Sequence, residues 1–329
     1  MAGGQERILR RRIRSVQSTK KITRAMELIA SSRIVRAQAA VRAAQPYSKG
    51  ITEVVQHLAE AGAGGGSPLL VPRPEVRTIG QIVIAADRGL CGAYNTSVLR
   101  AAESQINEHR ARGQEYALVA VGRKVENYFR YREFRIDAAF TGFSDRPSYE
   151  NARAVAAAVT DKFLAGEIDV VQLVYTRFIS AGTQAVVVER LMPLETTAEG
   201  AGADTHAADA HGGELQEAYE FEPGPEAILD ALLPRYAESR VFAALLNAAA
   251  SEHAARQRAM KAATDNADEL ITSLSRVMNR ARQDAITTEI MEIVGGAEAL
   301  SSSKEIDYFR DHHPLHLHFE SAGAAEEHE

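Results

Sequence analysis

The residues best placed to do chemistry are Asp87-Arg88-Gly89-Leu90-Cys91-Gly92, a loop between the apolar run Ile79 to Ala86 and the helical stretch Ser97 to Arg110. A loop after a strand and before a helix is where α/β proteins hold phosphate, because the amides of the helix N-terminus point at the ligand. This one lacks the three glycines of a dinucleotide fingerprint and the Gly-Lys-Ser/Thr ending of a P-loop, so the backbone cradle and the phosphate lysine are both missing. Its residue types fit a tight strand-to-helix turn better, with glycines giving backbone freedom and Asn95 or Thr96 capping the helix. Cys91, the single cysteine of 329 residues, excludes an internal disulfide and a cysteine zinc cluster. A helix N-terminus could lower its pKa, but a small buried hydrophobe is the stronger reading.

Elsewhere the chemistry is thin. The region 76–195 has one histidine, His109, and no Ser/His/Asp set, carboxylate pair or metal-ligand spacing, so no catalytic residue, cofactor or metal is expected there. Near the C-terminus His313, His316 and His318 with Asp311 could chelate a transition metal. Pro314 disrupts a regular helix there, and a solvated cluster is the stronger reading. Arg7, Arg10, Arg11, Arg12 and Arg14 belong to a start in which residues 1–45 hold eleven Lys/Arg against two acids, while the other 284 hold 27 against 42. Charge sorted in this way suits nucleic acid, an anionic membrane surface or an acidic protein groove. The aromatics that single-strand readers interleave with their charges are absent, and no apolar run reaches the 18 to 20 residues of a membrane span. The Arg-rich start has no apolar segment of the secretory type, so an intracellular protein is expected.

Two long helices must carry these groups. Arg235 to Val294 is sixty residues without glycine or proline, bounded by Pro234 and by Gly295-Gly296, and would extend roughly 90 Å. Ile271, Leu274, Met278, Ala281, Ala285 and Thr288 alternate by three and four, the spacing of a coiled-coil seam. Eight acids and eight bases along the sixty argue against full burial. From Gln5 to Gln45 a second helix carries stripes Leu9, Ile13, Val16 and then Ile22, Met26, Ile29 that shift phase around Lys20-Lys21, with Pro46 expected to kink or interrupt it. Two thinly apolar helices are most simply stable paired. The fold class read here is α/β: a long antiparallel two-helix coiled coil from the termini plus a compact Rossmann-like α/β domain. The expected divisions are a helix over 1–60, a linker over 61–75, the α/β foot over 76–195, a mobile insertion over 196–220, the second helix over 221–300 and an acidic, disordered tail over 301–329.

These pieces together resemble the γ subunit of the F-type ATP synthase, the central rotor shaft of its catalytic head. Arg14-Ser15-Val16 with Thr19 to Leu28 is similar to that family's opening signature, and Asp87 to Gly92 with Tyr94-Asn95 to its mid-chain motif. Ser251-Glu252-His253-Ala254-Ala255-Arg256, Met260 to Ala267, Ala281 to Thr287 and Glu292 to Gly296 resemble its C-terminal helix nearly residue for residue. The resemblance implies a subunit without covalent chemistry, which turns with the c-ring and drives three catalytic β subunits through different nucleotide affinities. Its partners would be the α and β subunits of the α3β3 ring, the ε subunit and the c-ring, at the cytoplasmic face of a bacterial plasma membrane. Carried over, the contact residues for the ring are Lys20, Lys21, Arg24, Met26, Arg256, Gln283 and Thr287. The alternative is a nucleotide-binding α/β enzyme dimerised by its terminal helices.

The insertion and the tail depart from the family pattern. In the family the shaft ends inside an apolar sleeve, where seven acids and five histidines would find no partner, so the tail must leave it. Deletion of residues 301–329 is therefore expected to leave assembly and ATPase turnover nearly unchanged, checked by purifying the reconstituted complex; failure to assemble would contradict it.

Overall fold

Short valine- and isoleucine-rich runs build one sheet: β1 (Thr78–Ile84), β2 (Glu115–Val121), β3 (Ala138–Phe140), β4 (Val170–Phe178) and β5 (Gln184–Met192), in the order β3-β2-β1-β4-β5. The computed structural model describes residues 2–60, 67–194 and 224–312. β1 to β4 are parallel and β5 returns antiparallel on β4. Parallel neighbours need crossovers, supplied by α2 (Tyr94–Ala111), α3 (Arg123–Tyr131) and α4 (Tyr149–Leu164). Strand alternation sorts the core into two faces. Val83, Ala85 and Val174 pack with Val98, Ile106 and Phe129 of α2 and α3. Ile82, Ile84 and Leu173 pack with Val155 and Phe163 of α4 and with the two long helices. The short α3 and β3 are absent from the sequence reading, because nine and three residues leave too little periodicity to detect.

The long helices are α1 (Ala2–Glu60) and α5 (Pro225–His312). Pro46 lies inside α1 without ending it, and Pro234 lies inside α5. Proline in a helix costs about 3 kcal/mol, but Ile51, Val55 and Leu58 on one side and Leu229, Leu233 and Tyr236 on the other are buried in one core. That burial outweighs the lost hydrogen bond. Gly295-Gly296 does not stop α5 either, and Ala297 to Leu300 is part of the same helix. Each glycine costs only about 1 kcal/mol, too little to end a helix with good formers on both sides. The expected tail therefore begins as helix up to His312. Residues 61–66 of the linker, the 196–220 insertion and the histidines at 313, 316 and 318 lie outside the described residues.

By contacts the chain forms two units, one from α1 up to Thr19 with α5 from Ala267, the other from Lys20 to Asn266. In the first, Ile13, Ala267 and Leu274 are buried, and Ile271, Met278, Ala281 and Ala285 are half-buried, as the seam requires; Thr288 is exposed. In the second, the helices run antiparallel, since Val55 and Leu58 share a core with Leu229 and Leu233 while Thr23 meets Thr264 through their hydroxyls at 2.8 Å.

The turn from β2 into α3 leaves no room for a side chain. Gly122 has φ +97°, and a Cβ there would lie 2.1 Å from the carbonyl oxygen of Ala85. Gly122→Ala is expected to cost about 3 kcal/mol or more, read from urea denaturation of the full chain; a loss within error would show that the β1 and β2 ends can move apart.

Candidate partner-contact site

The mid-chain loop turns out to be a joint. Asp87 accepts from the backbone N–H of Arg123 at 3.0 Å through Oδ1, and from Gly142 at 2.9 Å and Ser144 at 3.0 Å through Oδ2. Its own N–H donates to the Ser144 hydroxyl at 2.8 Å. Burial alone would raise this carboxyl, but those backbone donors outweigh it and hold it below the ordinary value. Leu90 and Gly92 both take left-handed φ, +62° and +58°, so the loop folds back tightly at the glycine and at an exposed leucine. Asn95 does not cap α2 as expected: its Oδ1 accepts from Ala86 N at 3.0 Å and its Nδ2 donates to Cys91 Sγ at 3.1 Å, while the N-cap position of α2 is Ala93, with no side-chain cap. Cys91 is 1% exposed, and burial pushes its thiol up. The activated-thiolate reading is overturned, and the small-hydrophobe reading fits.

Onto this joint packs the stretch of α5 whose motif the sequence showed most clearly. Glu252, 1% exposed, accepts from Arg256 Nη2 at 2.7 Å, and the same nitrogen reaches the Gly89 carbonyl at 3.4 Å. His253 Nε2 lies 3.1 Å from the Asp145 carbonyl, and Arg33 of α1 pairs with the Asp145 carboxylate at 2.6 Å. Burial raises the Glu252 carboxyl against the pull of Arg256 and lowers the His253 imidazole. His253 and Arg256 thus fasten α5 to the 142–145 and 87–92 loops. The sequence reading saw Arg256 as a contact for the ring; it held Glu252 and His253 only as part of a motif and missed Asp145, whose link to them exists only in space. Arg256 is in fact buried, with its guanidinium engaged inside the chain.

The other predicted contacts are on the surface. Lys21 and Arg24 are exposed, Lys20 and Met26 half-buried, and Arg24 pairs with Glu27 at 2.8 Å. The expected change of stripe at Lys20-Lys21 does not occur. The inward positions continue as Lys20, Thr23, Glu27, Ala30 and Ile34, in steps of three and four, whereas Ile22, Leu28 and Ile29 are more than half exposed. Apolar residues were assigned inward by type, but here Thr23 and the Arg24-paired Glu27 take the inward positions. The result is a band of apolar side chains beside Lys21 and Arg24, facing outward.

In the other unit Gln283 and Thr287 are exposed one helical turn apart, and the Thr287 hydroxyl donates to the Gln283 carbonyl at 3.0 Å. From Ile286 to Leu300 every residue of α5 is exposed, including Ile286, Ile290, Met291, Ile293 and Val294. Ile286, Ile290, Ile293, Val294 and Leu300 recur at i, i+4, i+7, i+8 and i+14, one apolar stripe left unpacked among the described residues, and such a stripe is a face for another surface. The seven candidates thus divide into four on α1 in one unit, two on α5 in the other, and the buried Arg256.

A family model described as ATP synthase matches residues 5–300. A protein named ATP synthase gamma chain from Parafrankia sp. is 50% identical over 303 residues, 91% of this chain and 99% of that one. Its namesake in Mycolicibacterium smegmatis is 48% identical over 312 residues, covering 91% and 98%. Among solved structures, one chain of the Euglena gracilis mitochondrial ATP synthase OSCP/F1/c-ring assembly matches with a TM-score of 0.63 and 18% identity over 92% of this chain and 96% of that one. One from the Tetrahymena thermophila central stalk/c-ring matches with a TM-score of 0.56 and 23% identity over 74% and 99%. At those identities the structural likeness speaks for the fold.

The joint yields a prediction with a defined pH dependence. In Asp87→Asn one acceptor oxygen must serve three N–H donors, which is expected to cost about 2 to 3 kcal/mol at neutral pH. Because the folded carboxyl sits below its usual value of about 3.9, its contribution is complete above that value and is lost as the pH falls through the depressed one. The gap between wild type and Asp87→Asn in urea titrations should be constant above about pH 5 and close on acidification; a gap unchanged in acid would contradict the assignment.

Proposed function

The chain belongs to the ATP synthase gamma-chain family, and from that membership we propose how its surfaces work as the central shaft. As a gamma chain it is a central-stalk subunit of the F1 sector and carries no catalytic site of its own. The nucleotide-binding enzyme alternative gives way to this. We infer that α1 and α5 turn within an α3β3 ring, that the α/β region holds the ε subunit and sits on the c-ring, and that the complex lies at the cytoplasmic face of a bacterial plasma membrane. Among the described residues no helix is long and apolar enough to cross a membrane, in keeping with peripheral attachment.

The observation that carries this reading is the exchange of polar and apolar positions on α1, where Thr23 and Glu27 are inward and Ile22, Leu28 and Ile29 outward. A shaft needs a surface that successive partners can grip and release. Lys20, Lys21, Arg24 and Met26 in one unit, and Gln283 and Thr287 in the other, are the proposed contacts with the catalytic β subunits. Exposed ion pairs are worth only about 0 to 1 kcal/mol each, so such contacts form and break at every step, and the ring responds only to the difference in their strength between its conformations. Arg256 serves from beneath, holding α5 on the joint that carries torque into the α/β region.

Met26→Lys adds a third cation beside Lys21 and Arg24, where an acidic β segment would hold too strongly. Reconstituted membranes carrying it are expected to lose proton pumping more than ATP hydrolysis; an equal loss of both would count against a contact at this position.

A further inference from the structure

The unit formed by the start of α1 and the end of α5 carries charge that its own fold leaves unmatched. Five arginines between positions 7 and 14 and three between 276 and 282 are exposed, and among the described residues only Arg10 has an ion-pair partner, Glu6. Several exposed arginines of the other unit are matched from within the chain, Arg24 by Glu27, Arg130 by Glu126, Arg132 by Glu103 and Arg153 by Glu150. Like charges three or four residues apart weaken a helix, so the run from Arg7 to Arg14 works against α1 without an offsetting contact in the chain.

Helical spacing sorts these charges onto two sides. Arg7, Arg11 and Arg14 follow one another in steps of four and three, and Arg11 is two residues from both Leu9 and Ile13, about 200° around the helix from the seam. On α5, Arg276 is likewise two residues from both Leu274 and Met278, and Arg280 is two from Met278. From Arg276 the steps of four, three and four run through Arg280 to Gln283 and Thr287, so those two proposed contacts end a row that begins with arginines. Each row points away from the seam that joins the helices. The two rows therefore lie on opposite sides of the pair.

We propose that Arg7, Arg11 and Arg14 on one side and Arg276 and Arg280 on the other are a second grip of the shaft, held by acidic segments of the enclosing ring. The inference rests on the shaft function proposed for this chain and adds to it a level of contact carried by charge alone. A partner that meets both rows at once must surround the helix pair, which a flat membrane surface cannot do. Guanidinium groups suit carboxylates in particular, because their planar fork matches the two oxygens. With two rows, the shaft is held at two places of the ring in any one orientation.

The test is the affinity of the full-length chain for a reconstituted α3β3 ring at low and high salt. Wild-type binding is expected to weaken with salt. Arg7→Gln, Arg11→Gln and Arg14→Gln together should weaken it about tenfold at low salt, and Arg276→Gln with Arg280→Gln about fivefold. The two sets combined should multiply, since they meet different segments. If the wild type binds and neither set changes its affinity, the second grip is overturned while the shaft function stands; an effect of one set alone overturns the two-sided arrangement. A wild-type chain that does not bind the ring overturns the shaft function and the grip with it. Tighter binding to duplex DNA than to the ring at equal salt also overturns the proposal. Because the substitutions remove like-charge neighbours, the free chain should melt no lower than wild type; a lower melting temperature would overturn the proposal by showing that the arginines serve the chain's own fold.

Discussion

A helix pair with little apolar surface needs something other than hydrophobic burial to fix its register, and here the Thr23–Thr264 hydroxyl pair does so. The two hydroxyls are buried and 2.8 Å apart, with the Lys20 and Met260 carbonyls within reach at 3.0 and 2.9 Å; their two protons make one bond across the pair and one to the carbonyl of one helix. Sliding α1 on α5 by one turn would bury both without each other. Each hydroxyl would then fall back on the carbonyl of its own helix, so the slide forfeits the bond between the helices, about 1 kcal/mol, against an alanine-lined seam with little apolar surface to gain. A polar contact thus sets the alignment, as a lone polar residue does in many coiled coils, and it allows the seam to stay narrow.

Fixing the register matters because α5 is bonded to the sheet at a second place. Glu252, His253 and Arg256 meet the 87–92 and 142–145 loops, Tyr94 donates to the Ala248 carbonyl at 3.1 Å, and the Ser251 hydroxyl donates to the Thr176 carbonyl at 3.0 Å. Load applied to the helix therefore enters the sheet through directed bonds at the ends of β1 and β4. Buried and charged, this joint costs desolvation that an apolar contact would avoid. What it provides is geometry, because apolar side chains can slide past one another while an arginine held between a carboxylate and a carbonyl cannot.

Much of the architecture was legible from periodicity. β1, β2, β4 and β5 stood out as apolar runs, and the seam from Ile271 to Ala285 was readable from its spacing alone. Helix ends were not legible: Pro46 and Pro234 are local signals overridden by burial contributed from far along the chain, and Gly295-Gly296 costs too little to stop a helix with good formers on both sides. The same holds for the joint: Asp87, Asp145 and Glu252 are 58 and 107 residues apart in sequence, and nothing in their spacing says they meet. The inward turn of Thr23 and Glu27 was hidden for a further reason, because residue type normally predicts which side of a helix is buried, and a surface shaped for partners reverses that rule.

The bare apolar stretch from Ile286 to Leu300 has a consequence for how such a chain is supplied. Fifteen consecutive exposed positions, five of the first nine being isoleucine, methionine or valine, make a surface that orphaned copies would use to bind one another. Synthesis in excess of the enclosing ring would feed aggregation and proteolysis.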